Sequence, residues 1–332
     1  MTGPQPEKTH IARSFKHDHP LLSCRFDPTG KYVFAGTRDN RVVRWDLASD
    51  TKFVLAGHES WVRAIAFSKD GAMTLSGGYD GRILWWSTPD EKAEPLRTIE
   101  AHDGWVRAID VSPDGTLLAS AGNDCKVKLF RVADGSLVRE MDGHPQHVYS
   151  VLFHPDGKSL LSGGLEGQVI QWDVETGELV RRFDAQELHI YHEHHEVHYG
   201  GVRSMAFSPD AKQLACSGLH NATDPLANSQ QPLVLLFNWE TQEKLPLVAT
   251  KDKLQGIGWR ILYHPEGFLI GISGGPVGFL LFFRPGEQQE FHKLKVGNTV
   301  YDVDLHPDGV QLATAHEDGQ VHISRMTDIG TD

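Results

Sequence analysis

Five histidines fall between positions 189 and 198: His189, His192, His194, His195 and His198, with Glu187, Glu193 and Glu196 beside them. Neutral imidazole is a good ligand for a transition metal, so this segment is the first place to look for metal chemistry. The spacing does not follow through. His192-Glu193-His194-His195-Glu196 departs from H-E-x-x-H at its last position, and no long helix is expected there. We expect no metal cofactor. His189, His192, His194 and His195 are the candidate ligands should one bind, and the alternative is a solvated loop that titrates near neutrality.

Three other motifs invite chemistry. Gly271-Ile272-Ser273-Gly274-Gly275 fits the G-x-S-x-G of hydrolases, which requires a strand–turn–helix elbow. Gly157-Lys158-Ser159 resembles the end of a phosphate-binding loop, but the earlier glycine it needs is Leu152. Cys24, Cys125 and Cys216 lie far apart with no C-x-x-C pair, so they read as reduced thiols. Cys125 falls in a tight turn where it should be exposed. No convergent nucleophile, base and acid emerge, and no catalytic residue is assigned.

The chain has 332 residues, 39% of them hydrophobic, and a net charge of −12. That acidity argues against nucleic acid, because phosphate binding needs surplus Lys and Arg. It equally disfavours anionic membrane surfaces. No apolar run approaches the ~20 residues of a membrane span. We expect a soluble, cytoplasmic protein.

The elements that must position any site come from a repeat. One turn signature recurs at Asp27-Pro28-Thr29-Gly30, Ser68-Lys69-Asp70-Gly71, Ser112-Pro113-Asp114-Gly115, His154-Pro155-Asp156-Gly157, Ser208-Pro209-Asp210-Ala211, His264-Pro265-Glu266-Gly267 and His306-Pro307-Asp308-Gly309. The preceding residues (26, 67, 111, 153, 207, 263, 305) are 41, 44, 42, 54, 56 and 42 apart. Pro presets one turn dihedral, Asp bonds back to the chain and Gly takes the positive φ, so each signature joins two strands. No stretch of ten or more residues follows helical periodicity. Four short strands per unit, seven times over, make an all-β, seven-bladed propeller.

These units resemble the WD-repeat (Trp-Asp repeat) β-propeller family. The name-giving dipeptide stands at Trp45-Asp46 and Trp172-Asp173, with eroded forms such as Trp86-Ser87 and Phe130-Arg131. Gly57-His58 and Gly143-His144 supply the Gly-His element. We expect one propeller over 9–326, a disordered tail over 1–8 and a short tail over 327–332. The last unit lacks a fourth strand, and Thr9–Phe15 is the spare. The ring should close by pairing that N-terminal strand with the last blade.

The resemblance also implies a buried His, Ser or Thr, Asp and Trp network within each blade. Repeat two carries His58, Ser76, Asp80 and Trp86; repeat three carries His102, Ser120 and Asp124, with Phe130 in the Trp slot. Repeat four has His144, Ser162 and Trp172 but Glu166 in the Asp slot, and repeat one has Ala35 in the Ser slot. His198 aligns with the His slot of repeat five. Repeats five to seven are otherwise eroded and should rely on apolar packing.

By the same resemblance, the third and fifth positions after each His slot, and the residue before the Asp slot, point to the top face around the channel. Here they are Trp61, Arg63, Tyr79, Trp105, Arg107, Asn123, His147, Tyr149, Arg203, Trp259, Tyr301 and Glu317, joined by Arg38. Trp, Tyr and Arg dominate binding hot spots. Arginines buried alone would be costly, so a solvated or ligand-facing ring is expected. Two insertions, at 185–200 and 219–231, should emerge on the same face. The expected function is a scaffold holding a protein or peptide partner, with an acidic or phosphorylated peptide as the expected kind, as a monomer or as a subunit of a larger complex. The alternative is a propeller enzyme or metal-dependent protein using the channel mouth and loop 187–198. A cationic ligand in a cage of Trp61, Trp105 and Trp259 fits poorly beside the arginines.

Overall fold

Each turn signature does locally what its residues dictate. In the first, Asp27 Oδ1 and Oδ2 accept from the amides of Tyr32 (2.6 Å) and Thr29 (3.0 Å), and Gly30 donates to the Asp27 carbonyl with φ of 71°. A Cβ on Gly30 would stand 2.4 Å from the imidazole of His306, whose Nε2 meets the Gly30 carbonyl at 3.0 Å. The signature therefore also joins the first and last blades at the bottom face.

The computed structural model describes residues 3–91, 94–222 and 229–330 and arranges them as a seven-bladed β-propeller. The inner strands are Leu21–Phe26, Val62–Phe67, Val106–Val111, Val148–Phe153, Ser204–Phe207, Ile261–Tyr263 and Val300–Leu305. Six blades have four antiparallel strands. In blade five the outer strand is reduced to bridges, Val234 with Val248 and Phe237 with Lys244. Thr9–Lys16 pairs antiparallel with Gln320–Met326, so the ring closes as expected. The disordered tail expected over 1–8 does not describe Gln5–Lys8. Pro6–Lys8 forms a 3-10 turn with Pro6 buried, and Gln5 donates to the Met326 carbonyl at 2.7 Å.

The core lies between adjacent blades. At the closure Phe15 stacks on Trp45 at 5.7 Å, in a cluster with Leu21, Ala313, Val321 and Ile323. Within blades two and three the polar networks form. Asp80 accepts from His58 Nδ1 (2.9 Å), the other ring nitrogen meets Ser76 Oγ (2.8 Å), and Trp86 donates to the same hydroxyl (2.8 Å). His102 likewise bridges Asp124 (2.8 Å) and Ser120 (2.7 Å). In blade four His144 reaches Ser162 at 2.6 Å and pairs with no carboxylate among the described residues. Burial holds its pKa at about 4.

Blade five departs from the expected slot. His198 sits on a hairpin, His189–His192 with Val197–Gly200, which pairs it opposite Tyr191 and turns it toward His189 Nε2 at 2.9 Å. The hairpin register overrides the repeat position, and the segment expected as a solvated loop is a two-stranded hairpin whose tip is exposed.

Two predictions follow from this packing. Phe15→Ala opens a cavity at the closure and should cost about 3–5 kcal/mol in urea unfolding. The His144 contribution has a definite sign. Its folded pKa lies below the usual 6.5, so the unfolded chain binds the extra proton and stability falls as pH drops from about 6.5 to 4. The slope should approach about 1.4 kcal/mol per unit. Glu166→Asp, supplying the carboxylate that blades two and three possess, should flatten that part of the stability–pH curve.

Candidate partner-binding site

The inner strands of five blades share an irregularity. Register shifts fall between Leu21 and Ser23, Val62 and Ala64, Val106 and Ala108, Val148 and Ser150, and Val300 and Asp302. A bulge re-aims the extra residue. The residues so placed are Leu22, Arg63, Arg107, Tyr149 and Tyr301, all lining a central cavity of about 600 Å³. Arg203, just before its strand, joins them.

The expected top-face residues assemble into a closed collar of rings and guanidinium groups. Trp61 stacks on Tyr79 (5.9 Å) and Tyr79 on Trp105 (4.1 Å, planes within 2°). Arg107 lies over Trp105 (4.5 Å), Tyr149 (5.0 Å) and Tyr79 (5.2 Å). Arg203 lies between Tyr149 (4.0 Å) and Trp259 (5.1 Å). Trp259 meets Tyr301 edge-on, and Arg38 completes the circle over Tyr301 (5.5 Å) and Trp61 (4.9 Å). Arg63 sits inside it, against Trp259 at 5.3 Å. Trp61 and Trp105 are about 40% exposed, and the other rings are half-buried.

The polar members orient the cations. Arg107 Nε donates to Asn123 Oδ1 (2.7 Å) and Nη1 to the Tyr79 hydroxyl (3.2 Å). His147 Nδ1 meets the Asn123 carbonyl at 2.8 Å. Arg38 pairs with Glu317 (2.7 Å) and donates to the Tyr301 hydroxyl (3.0 Å), which itself donates to Glu317. Burial, helped by Glu317, pushes the Tyr301 phenol up to about 12. Arg63 donates to the carbonyl of Leu22. Of the solvated or ligand-facing ring expected for Arg63, Arg107 and Arg203, the fully solvated form is not seen: they are half-buried and face aromatic planes. Arg203 is the extreme case. Its Nε is out of solvent and meets no acceptor among the described residues. Burial, with Arg107 nearby, depresses its pKa.

A second tier was not anticipated. Arg25, Asp110 and Asp304 stand at the fifth positions of their inner strands, three residues and about 10 Å below the collar. Asp302 accepts from Arg25 (2.6 Å) and from the Cys24 amide (3.2 Å). Asp304 accepts from the Phe26 amide (2.9 Å), and Asp110 from the Phe153 amide (2.7 Å). Each bond crosses to the next blade. Burial raises the Asp110 pKa to about 6 and also raises that of Asp304. Asp302 and Asp304 hold Arg25 protonated against its burial. The signal was in the sequence: Arg25, Asp110, Asp302 and Asp304 are charges in strands that should otherwise be apolar.

The remaining candidates lie elsewhere. His189 faces His198, and His192 stacks on His195 at 4.8 Å. Among the described residues no three His, Cys, Asp or Glu side chains converge as a metal would require. The second insertion is described only outside 223–228; its flanks lengthen the second and third strands of blade five to His220 and Gln231. Ser273 is buried in a strand and donates to the Gln255 carbonyl, with no elbow. Cys125 takes a left-handed φ of 67° and is half-buried. Burial raises its thiol pKa, which opposes reactivity.

Arg203 offers a direct energetic test. A buried cation without a full set of acceptors is costly, so Arg203→Met should leave stability unchanged or raise it by about 1 kcal/mol in urea unfolding. A loss of several kcal/mol would mean that the guanidinium is a structural bond rather than a group held for a ligand.

Comparison with known proteins agrees with the geometry. The family described as WD domain, G-beta repeat matches residues 10–46, 49–87, 93–131, 135–173, 186–222 and 289–323. Similar stretches occur in the nuclear distribution protein PAC1 of Arthroderma benhamiae, 29% identical over 82 residues, covering 24% of this chain and 18% of the relative. Nuclear distribution protein nudF of Emericella nidulans is 30% identical over 95 residues, covering 28% and 21%. Ribosome assembly protein 4 of Chaetomium thermophilum is 44% identical over 57 residues, covering 17% and 11%. The aligned segments span only about a tenth to a fifth of these relatives. The segments matched by the family make up most of the chain and fall on its blades, and the chain belongs to the WD-repeat, G-beta repeat family.

Proposed function

We propose that this chain is an interaction scaffold that holds a protein or peptide partner over its top face. The observation that carries this reading is the collar. It joins exposed tryptophans to oriented arginines on a rigid ring, the combination from which binding hot spots are built. The hairpin from His189 to Gly200 supplies a rim beside it. Its Ile190 and Tyr199 pack in one small cluster with Leu219, Ile257 and Trp259. Three positive groups on a protein of net charge −12 favour an acidic partner. Catalysis is not part of the proposal, because the collar presents rings and guanidinium groups rather than a nucleophile with its base. A cytoplasmic setting suits three unpaired cysteines, two of them buried. No helix among the described residues is long and apolar enough to cross a membrane.

The test is affinity capture with the intact protein and with the triple variant Trp61→Ala, Arg63→Ala, Trp105→Ala, both verified as folded. The expected result is a partner retained by the first and lost from the second. Retention of the same partner by both would move the docking surface away from the collar.

A further inference from the structure

The charges along the channel are separated by level. At the collar Arg38 is neutralised by Glu317 at 2.7 Å. Arg63, Arg107 and Arg203 have no carboxylate within ion-pair distance among the described residues. Their bonds go to a carbonyl, to Asn123 and Tyr79, and to ring faces. One tier down, Arg25 and Arg260 face three carboxylates, Asp110, Asp302 and Asp304, with Arg25–Asp302 at 2.6 Å and Arg260–Asp302 at 3.9 Å. The upper level therefore carries three uncompensated positive charges and the lower level one negative. Taken together, the cavity has two positive charges without a counter-ion.

The three arginines are also brought together. Arg63 and Arg203 share Trp259, on which both rest at just over 5 Å, and Arg203 and Arg107 share Tyr149. Rings between like charges keep the guanidinium planes apart and pre-ordered, which lowers the entropy cost of gripping a ligand. The Nε of Arg203, excluded from solvent and without an acceptor among the described residues, is an unfilled donor in this group. Buried donors are ordinarily paired, and a group left unpaired calls for an explanation.

We propose that the channel mouth is a phosphate pocket: Arg63, Arg107 and Arg203 take one phosphorylated side chain of a peptide partner docked on the collar. The inference rests on the top-face reading and names its ligand. A phosphomonoester carries close to two negative charges at neutral pH and three strong acceptor oxygens, which matches the uncompensated charge. A carboxylate would balance half of it. The acidic tier below repels the anion and stops it at the level of the arginines. The exposed faces of Trp61 and Trp105 remain for the residues flanking the phosphate.

The experiment uses the full chain, immobilised, and degenerate peptide pools with a central phosphoserine, phosphothreonine or phosphotyrosine. The comparison pools carry the unmodified residue or Glu at that position. The expected result is retention of at least one phosphorylated pool about tenfold or more above both comparison pools. That preference should disappear in Arg203→Met and in Arg107→Gln, each shown to be folded by its unfolding curve. Phenyl phosphate should compete, and more weakly than the retained pool.

Equal retention of the Glu pool would overturn the dianion assignment, as would phosphate-dependent retention unchanged in both variants. Phenyl phosphate or inorganic phosphate binding as tightly as the peptides would assign the pocket to a free small anion and overturn the peptide-borne one. No retention of any pool also overturns it. A partner lost from the triple variant but not displaced by phenyl phosphate would overturn the phosphate pocket and leave the top-face scaffold standing.

Discussion

Everything at the channel mouth depends on one antiparallel pairing, that of Thr9–Lys16 with Gln320–Met326. A propeller is a ring of sheets, each packed on two neighbours, and without this pairing the last blade lacks its outer strand. The seam is reinforced on both sides. Phe15 stacks on Trp45 of the first blade, Ser14 meets His322 at 2.6 Å, and the turn histidine His306 bonds the carbonyl of Gly30. Asp302 and Asp304 of the last blade take amides of Cys24 and Phe26 in the first. The collar crosses this same seam through Arg38, Tyr301 and Glu317, so the site is complete only when the ends have met.

The two halves of the ring solve the burial problem differently. Blades two and three bury complete His–Ser–Asp chains, in which each donor finds an acceptor. Blade six replaces them with Leu280, Leu281, Phe282 and Phe283, and in blade five Ser217 Oγ meets no partner among the described residues. Both solutions support the same inner-strand placement. The collar draws on residues from either half, Tyr79 and Arg107 from the networked blades and Trp259 from an apolar one. What the collar needs from a blade is a rigid inner strand, however that strand is held.

The mouth of the channel is built against the trend of the rest of the molecule. It gathers positive charge on an acidic chain and half-buries guanidinium groups on aromatic faces. Cation–π contact returns part of the desolvation cost, on the order of 0.5–2 kcal/mol per pair. It supplies no hydrogen bonds, which is why Arg203 keeps an unfilled donor. Sites that spend stability in this manner are the ones where a ligand is expected to complete the structure.

The seven turn signatures and their spacing determined the blade count, because Pro, Asp and Gly impose tight turns through local dihedrals and short-range bonds that need no tertiary context. The spare N-terminal strand was legible from the repeat count, whereas the networks of blades two and three were implied by the resemblance to the WD-repeat family. The candidate collar residues were legible as a set of positions that the resemblance to the family implied. Their mutual arrangement was not, since Arg203 between Tyr149 and Trp259 joins three blades. The acidic tier escaped because inner strands were expected to be apolar. Only the closed ring turns Arg25, Asp110, Asp302 and Asp304 toward one axis. His198 shows the limit from the other side. Its repeat position pointed to a buried slot, but the hairpin pairing with Tyr191 decided its place, because a strand register formed in three dimensions outweighs the phase of a sequence repeat.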